Sequence, residues 1–350
     1  MSKSYQHILI TGGCGFVGSN LSLGLRRRYP NTKITAFDNF YRKGSELNER
    51  PLTDAGITVR RGDVRSLEDL EHVGMFDLLI ECAAEPSVIA SIASGPRYVI
   101  ETNLVGALNC FEVARKHHAH VLFISTSRVY PHDGLNALPF SETDSRFVMD
   151  GVGTSESFPL EGLRTLYGAT KLSAELILKE YAAEFGMRYI VNRCGVLAGP
   201  GQFGKTDQGV VALWVARHLW GDSLSYIGFG GTGKQVRDIL HIDDYLDAVL
   251  AQLQRFDDFS GRTFNIGGGT QNSVSLKELT GLCATVTGRT IPIASDSGTR
   301  PGDVRIYITD NSAMTAATGW TPRLGPRWIV SDTASWMRSH RDDVKPILIA

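Results

Sequence analysis

The chain opens on His7-Ile8-Leu9-Ile10-Thr11, followed at once by Gly12-Gly13-Cys14-Gly15-Phe16-Val17-Gly18. A short apolar run of this length, bounded by glycines, is the pattern of a strand buried on both faces. Residues 16–25 then place apolar side chains at helical spacing, so the glycines join a strand to a helix. Backbone there must turn sharply and approach a pyrophosphate, whose charge is stabilised by the free N–H groups of the helix N-terminus. A side chain at Gly12, Gly15 or Gly18 would obstruct the turn, the phosphate approach or the helix–sheet packing. Phe16 and Val17 begin that helix and belong to the same candidate site. A glycine triplet alone is weak evidence. The strand before it and the helix after it make it a dinucleotide site.

Working outward, residues 33–37, 57–60, 76–82, 121–125 and 189–192 read as further strands. Helical patterns separate them, notably over 98–114 and 165–185. Strands alternating with helices predict right-handed crossovers and an α/β fold, a Rossmann-type doubly wound parallel sheet. After about residue 193 the pattern loosens into glycine-rich loops and short helices. The expected organisation is a dinucleotide-binding domain over 1–192, with a return at about 236–268. A smaller interleaved C-terminal substrate lobe takes 193–235 and 269–350. Residues 141–163 are polar and poorly periodic, and a loop of that length beside a sheet is expected to cover a ligand.

Composition narrows the function classes. Lys plus Arg (36) nearly balances Asp plus Glu (37), so no basic field points to nucleic acid or a membrane surface. The cysteines, Cys14, Cys82, Cys110, Cys194 and Cys283, show no paired spacing. That fits reduced thiols rather than a disulfide framework or a metal site. His117, His118 and His120 lie at a helix end, where cations suit the dipole, and are read as structural. No apolar run reaches the ~20 residues that span a bilayer. The first strand begins too early to leave room for a secretory signal. The expectation is a cytoplasmic globular protein.

Asp38 ends the second strand, twenty residues past Gly18. A carboxylate there accepts both hydroxyls of an adenine ribose and repels a 2′-phosphate, which favours NAD over NADP. Arg42 and Lys43 follow it and favour the opposite choice. Asp63-Val64, after the third strand, is a candidate for the adenine edge. Tyr167 and Lys171, four residues apart in Tyr-Gly-Ala-Thr-Lys, share one helical face. A free phenol titrates near about 10. A neighbouring ammonium and an oxidised nicotinamide stabilise the phenolate and bring it toward working pH. Upstream, Ser125-Thr126-Ser127 ends a strand with hydroxyls that can orient a reacting oxygen. Each feature alone has a bland reading, a surface contact or a strand-terminal hydroxyl. Their conjunction with the glycine turn and Asp38 does not.

Taken in order, TGGCGFVG, CAAE, ETNLVGALN, STSRVY, YGATK, VRDILHIDD and RPGD resemble the extended short-chain dehydrogenases/reductases that act on nucleotide sugars. The resemblance runs from about residue 6 to 325. It implies Thr126, Tyr167 and Lys171 as the catalytic set, and Asn103 as support for the active site. It also implies that Asn39, Ala83, Ala84, Asn103, Ser125, Tyr167 and Lys171 contact NAD, with Glu85, Ser127 and Arg128 facing the substrate. In the dehydratase branch the residues after the threonine resemble Asp-Glu, which supply an acid and a base. Here they are Ser127 and Arg128, neither of which shuttles a proton near neutral pH. The resemblance then implies epimerisation by oxidation and re-reduction of one carbinol.

The stretch 199–209, with Gln202, Phe203, Asp207 and Gln208, resembles the 2-epimerase branch that acts on CDP-sugars of the paratose/tyvelose type. Arg237 and Arg300 resemble positions that hold the nucleotide diphosphate, where a guanidinium fits phosphate oxygens bidentately. A local ion pair between Arg237 and Asp238 is the plain alternative. C4 epimerisation of a UDP-sugar stays open, as does an NAD-binding regulator without chemistry. The resemblance implies a homo-oligomer, dimer or tetramer, and no metal.

Overall fold

The computed structural model describes residues 4–87, 95–204, 209–221 and 223–349. Strand β1 (His7–Thr11) is buried along its whole length and leads through the glycine turn into helix α1 (Phe16–Arg28). Next come β2 (Lys33–Asp38), β3 (Thr58–Arg61) and β4 (Leu78–Glu81). The predicted helix over 98–114 is α2 (Pro96–Ile100), a wide π-turn (Glu101–Val105) and α3 (Gly106–Lys116) in succession. Strand β5 (His120–Thr126) and the twenty-residue helix α4 (Leu166–Phe185) follow, then β6 (Tyr189–Cys194).

A β-strand over Arg262–Ile266, β10 below, completes a seven-stranded sheet in the order β10-β6-β5-β4-β1-β2-β3. Register pairs from β5 to β3 run parallel, as crossover helices require. Because the chain leaves β1 in one direction and returns to β4 in the other, the strand order reverses between them. In open α/β sheets, ligands bind beyond the carboxyl ends of the strands at such a switch. Thr11 and Glu81 are register partners at that point. The core beneath it gathers Leu9, Phe37, Leu79, Phe111, Phe123 and Val191.

The chain divides into two compact units. One comprises Met1–Val129, Leu166–Arg193 and Leu246–Phe264, and the other Tyr130–Thr165, Cys194–Tyr245 and Asn265–Ala350. The sequence had grouped 130–165 and 236–245 with the sheet; their contacts are elsewhere. Strand β9 (Val236–His241) pairs with β7 (Val196–Ala198), β11 (Ser273–Ser275) and β13 (Ile306–Tyr307), all in the second unit. The second unit also pairs β8 (Leu224–Ile227) with β12 (Ile293–Asp296). The long 141–163 stretch is pinned within this unit by a bridge between Thr154 and Thr309. The Glu156 carboxylate accepts the Asn265 amide at 2.6 Å. No helix among the described residues is long and apolar enough to cross a membrane.

Candidate active site

The glycine turn is built as the sequence requires. Gly12 has φ +60°, and a Cβ there would meet the Ala83 backbone at 3.0 Å. A Cβ on Gly18 would stand 2.2 Å from the Gly12 carbonyl oxygen. Gly15 caps α1 without a side chain, and the first turn of α1, with Phe16 and Val17, carries no acid. The helix N-terminus therefore offers donors to an anion. Ala83 follows β4 with its backbone beside this turn, and Ala84 comes next in the chain.

Asp38 lies buried at the end of β2, its two oxygens accepting the amides of Cys14 at 3.0 Å and Phe40 at 2.8 Å. Burial pushes its carboxyl up, and the backbone donors oppose that. Further donors, such as ribose hydroxyls, would complete its shell. Beside it, Asn39 donates to Asp63 at 3.1 Å, and Arg65 clamps Asp63 with two bonds of 2.7 and 3.0 Å. The Asp63 carboxyl is held down at about 2, with the Arg65 hydrogen bond as the main cause. Val64 is buried under Gly106. These residues fit a dinucleotide. Asp38→Asn is expected to weaken NAD about ten- to hundredfold, through loss of charged hydrogen bonds. Calorimetric titration checks it. In the parent protein, NAD affinity is expected to fall as pH drops and protonates Asp38, whose carboxyl burial pushes up.

On the other side of the switch point, Tyr167 and Lys171 occupy the first turns of α4. Tyr167 is half-buried and Lys171 fully buried. Lys171 Nζ lies 3.3 Å from Glu81 and 4.0 Å above the centre of the Phe123 ring. Glu81 lies outside the sequence motifs that mark the site. Its one signal was a charge closing an otherwise apolar strand, Leu78-Leu79-Ile80-Glu81. Thr126 ends β5 and accepts the Arg128 amide at 3.2 Å, which leaves its own proton to donate. Ser125 donates to Glu175, and Arg193 grips that carboxylate at 2.7 and 3.1 Å, all three buried. Asn103 sits in the π-turn and clamps the Glu85 backbone from both sides, at 2.7 and 3.1 Å. The extra residue of the turn swings its amide toward the β4 exit, a frequent use of such bulges. The Glu85 carboxylate itself accepts the Ser87 amide at 3.1 Å. Ser127 and Arg128 are half-buried in the short turn after β5.

In the second unit, Gln202 donates to the Leu197 carbonyl at 2.9 Å while its buried Oε1 has no hydrogen-bond partner among the described residues. Phe203 packs edge-on against Trp336, with ring centres 5.9 Å apart. Asp207 and Gln208 lie outside the described residues. Arg237 pairs with Asp303 at 2.8 Å rather than with its neighbour Asp238. Alternate residues of a strand face opposite ways, which takes the Asp238 side chain into the interior. Asp303 belongs to the Arg300-Pro301-Gly302-Asp303 turn, so Arg237 is tied to the segment that carries Arg300.

A doubly wound sheet whose switch point carries a glycine turn, an uncapped helix N-terminus and a buried acid defines a dinucleotide-binding α/β protein. Residues 8–267 match the NAD dependent epimerase/dehydratase family. The chain is 31% identical over 343 residues to CDP-paratose 2-epimerase of Salmonella typhi, covering 95% of this chain and 99% of that one. It is 29% identical over 346 residues to dTDP-glucose 4,6-dehydratase of an Actinoplanes species, covering 95% and 98%. The structure of Thermus thermophilus UDP-glucose 4-epimerase in complex with NAD matches with a TM-score of 0.78 at 25% identity, over 95% and 99% of the two chains. The chain therefore belongs to the NAD dependent epimerase/dehydratase family. It is an enzyme, and NAD is its cofactor.

Proposed function

We propose that the enzyme epimerises one carbon of a nucleotide-diphosphate sugar, by transient oxidation to a keto-sugar and re-reduction on the opposite face. The favoured substrate is a CDP-sugar of the paratose/tyvelose type, epimerised at C2. One observation carries the choice of epimerisation over dehydration. The turn after Thr126 holds Ser127 and Arg128, so the acid and base that elimination requires have no counterpart there. The 31% identity with CDP-paratose 2-epimerase supports C2 and the cytidine nucleotide.

NAD, when bound, supplies a reversible two-electron acceptor. The chain's residues supply the rest. Tyr167 takes the proton of the sugar hydroxyl as the carbonyl forms and returns it on reduction. Thr126 donates to the same oxygen and fixes its direction. Lys171 provides positive charge behind the phenol. Gly12, Gly15 and Gly18 admit the pyrophosphate, and Asp38 selects the unphosphorylated ribose. Asn39, Asp63 and Val64 line the adenine end, while Ala83, Ala84, Asn103 and Ser125 shape the nicotinamide side. Glu85, Ser127 and Arg128 face the sugar. Gln202, Phe203, Arg237 and Arg300 belong to the second unit, where Arg237 and Arg300 are guanidinium groups of the kind that hold a diphosphate.

A second reading, C4 epimerisation of a UDP-sugar, is favoured by the match to UDP-glucose 4-epimerase. Incubation with a panel of CDP-, UDP- and dTDP-sugars, followed by NMR of the products, separates the two. A 2-epimer from a CDP-sugar, with no solvent deuterium at the inverted carbon, is the expected result. A 4-epimer of a UDP-sugar replaces the first reading, and a dehydrated product defeats both.

A further inference from the structure

Strand β4 closes on a carboxylate in the middle of the sheet. Glu81 has Thr11 and Phe123 as register neighbours on its two sides, and all three are fully buried. The Glu81 and Lys171 side chains, 3.3 Å apart, are 1% and 2% exposed. The Thr11 hydroxyl and the Ala83 backbone also face the Glu81 carboxylate and favour its charged form, to a smaller degree than Lys171. Such a pair is a poor source of stability, because apolar residues of equal volume do as well or better in a dry interior. A buried ion pair one helical turn from Tyr167 therefore asks for a functional reason.

The surrounding groups leave Lys171 and Glu81 to each other. Further along α4, Glu175 is matched by Arg193 of β6. In the π-turn Glu101 pairs with Arg97 of α2, and on α3 Glu112 pairs with Arg115. Cys110 of α3 faces the pair as a thiol pushed well up by burial. Tyr98 of α2 is pushed up to about 12, chiefly by burial, and stacks with Arg65. Arg128 stands in the turn packed on α4. Burial pushes the Glu81 carboxyl up and the Lys171 ammonium opposes it.

We infer that Glu81 is the counter-ion of Lys171 and, by partly cancelling its charge, sets the pH range in which Tyr167 works. Glu81 is thus a positioning residue that acts through the lysine. With the carboxylate removed, the ammonium acts on the phenol uncompensated. The phenolate then forms at lower pH.

The inference rests on Tyr167 as the proton carrier, and the test keeps the two apart. Ultraviolet phenolate absorbance, taken as the difference between each protein and its Tyr167→Phe counterpart, isolates Tyr167 without turnover. In Glu81→Gln its midpoint is expected to fall by about one pH unit, the effect of one nearby charge. The rising limb of the pH–kcat profile moves down with it, and Glu81→Asp restores the parent midpoint. An unchanged or raised midpoint in Glu81→Gln overturns the inference. If that variant does not fold, 15N NMR of lysine side chains in the parent protein decides. The Lys171 signal, assigned by its loss in Lys171→Met, must be that of an ammonium across the phenol titration, and a neutral amine there overturns the inference. Failure of the Tyr167 assignment looks different: turnover persists in Tyr167→Phe while the midpoint shift in Glu81→Gln stands.

Discussion

Tyr167→Phe is expected to lower kcat on the best nucleotide sugar by about a hundred- to ten-thousandfold, the range of a lost general base. The substitution removes one oxygen and keeps the ring, so the first turn of α4 is not disturbed. Thr170, whose hydroxyl donates to the Tyr167 carbonyl at 2.9 Å, still anchors the backbone there. NAD binding, which we assign chiefly to the glycine turn and Asp38, is expected to change by less than about threefold, since those groups lose no hydrogen bond. The loss then falls on the chemical step and not on assembly of the site. The measurements are kcat and KM by coupled assay or NMR, with NAD affinity by calorimetry. Turnover close to that of the parent would remove Tyr167 from the mechanism and leave its neighbours without a task.

Arg193→Leu is expected to cost about 3–5 kcal/mol of stability, because it strands the Glu175 carboxylate in the interior without its partner. Arg193 and Glu175 are buried on β6 and α4, joined by hydrogen bonds of 2.7, 3.1 and 3.2 Å. Urea unfolding followed by circular dichroism reads the change as a lower midpoint at unchanged slope. Glu175→Leu combined with Arg193→Leu is expected to recover most of the loss, since no charge then remains unpaired. Activity is not expected to recover with it. The Ser125 hydroxyl donates to Glu175 and ties the end of β5 to α4, which keeps Thr126 and Tyr167 in register. A double variant both stable and fully active would show that this tie does not position the catalytic pair.

The centre of the parallel sheet was legible because β1, β4 and β5 carry continuous apolar runs, and β1 occupies His7–Thr11 as its pattern predicts. The seventh strand, Arg262–Ile266, was visible only as part of a return toward the sheet, since Arg, Thr and Asn interrupt its apolar residues. Helix 98–114 concealed its π-turn, because one inserted residue barely alters a 3.6-residue period. The grouping of 130–165 and 236–245 was not legible. Those segments carry ordinary loop and strand patterns, and only their pairing partners decide where they belong.

The glycine turn on which the chain opens shows the same division. The sequence alone determined that a strand feeds a helix through Gly12, Gly15 and Gly18, and that Asp38 follows at the end of the next strand. Backbone conformation and local spacing are written residue by residue, so those conclusions needed no tertiary contact. The tertiary structure alone decided that Lys171 meets Glu81 across 90 residues, that Arg193 holds Glu175, and that Arg237 turns to Asp303 instead of Asp238. Burial takes charged groups out of water, and the partner each one finds is whichever opposite charge the packed chain brings within reach, a quantity that sequence separation does not encode.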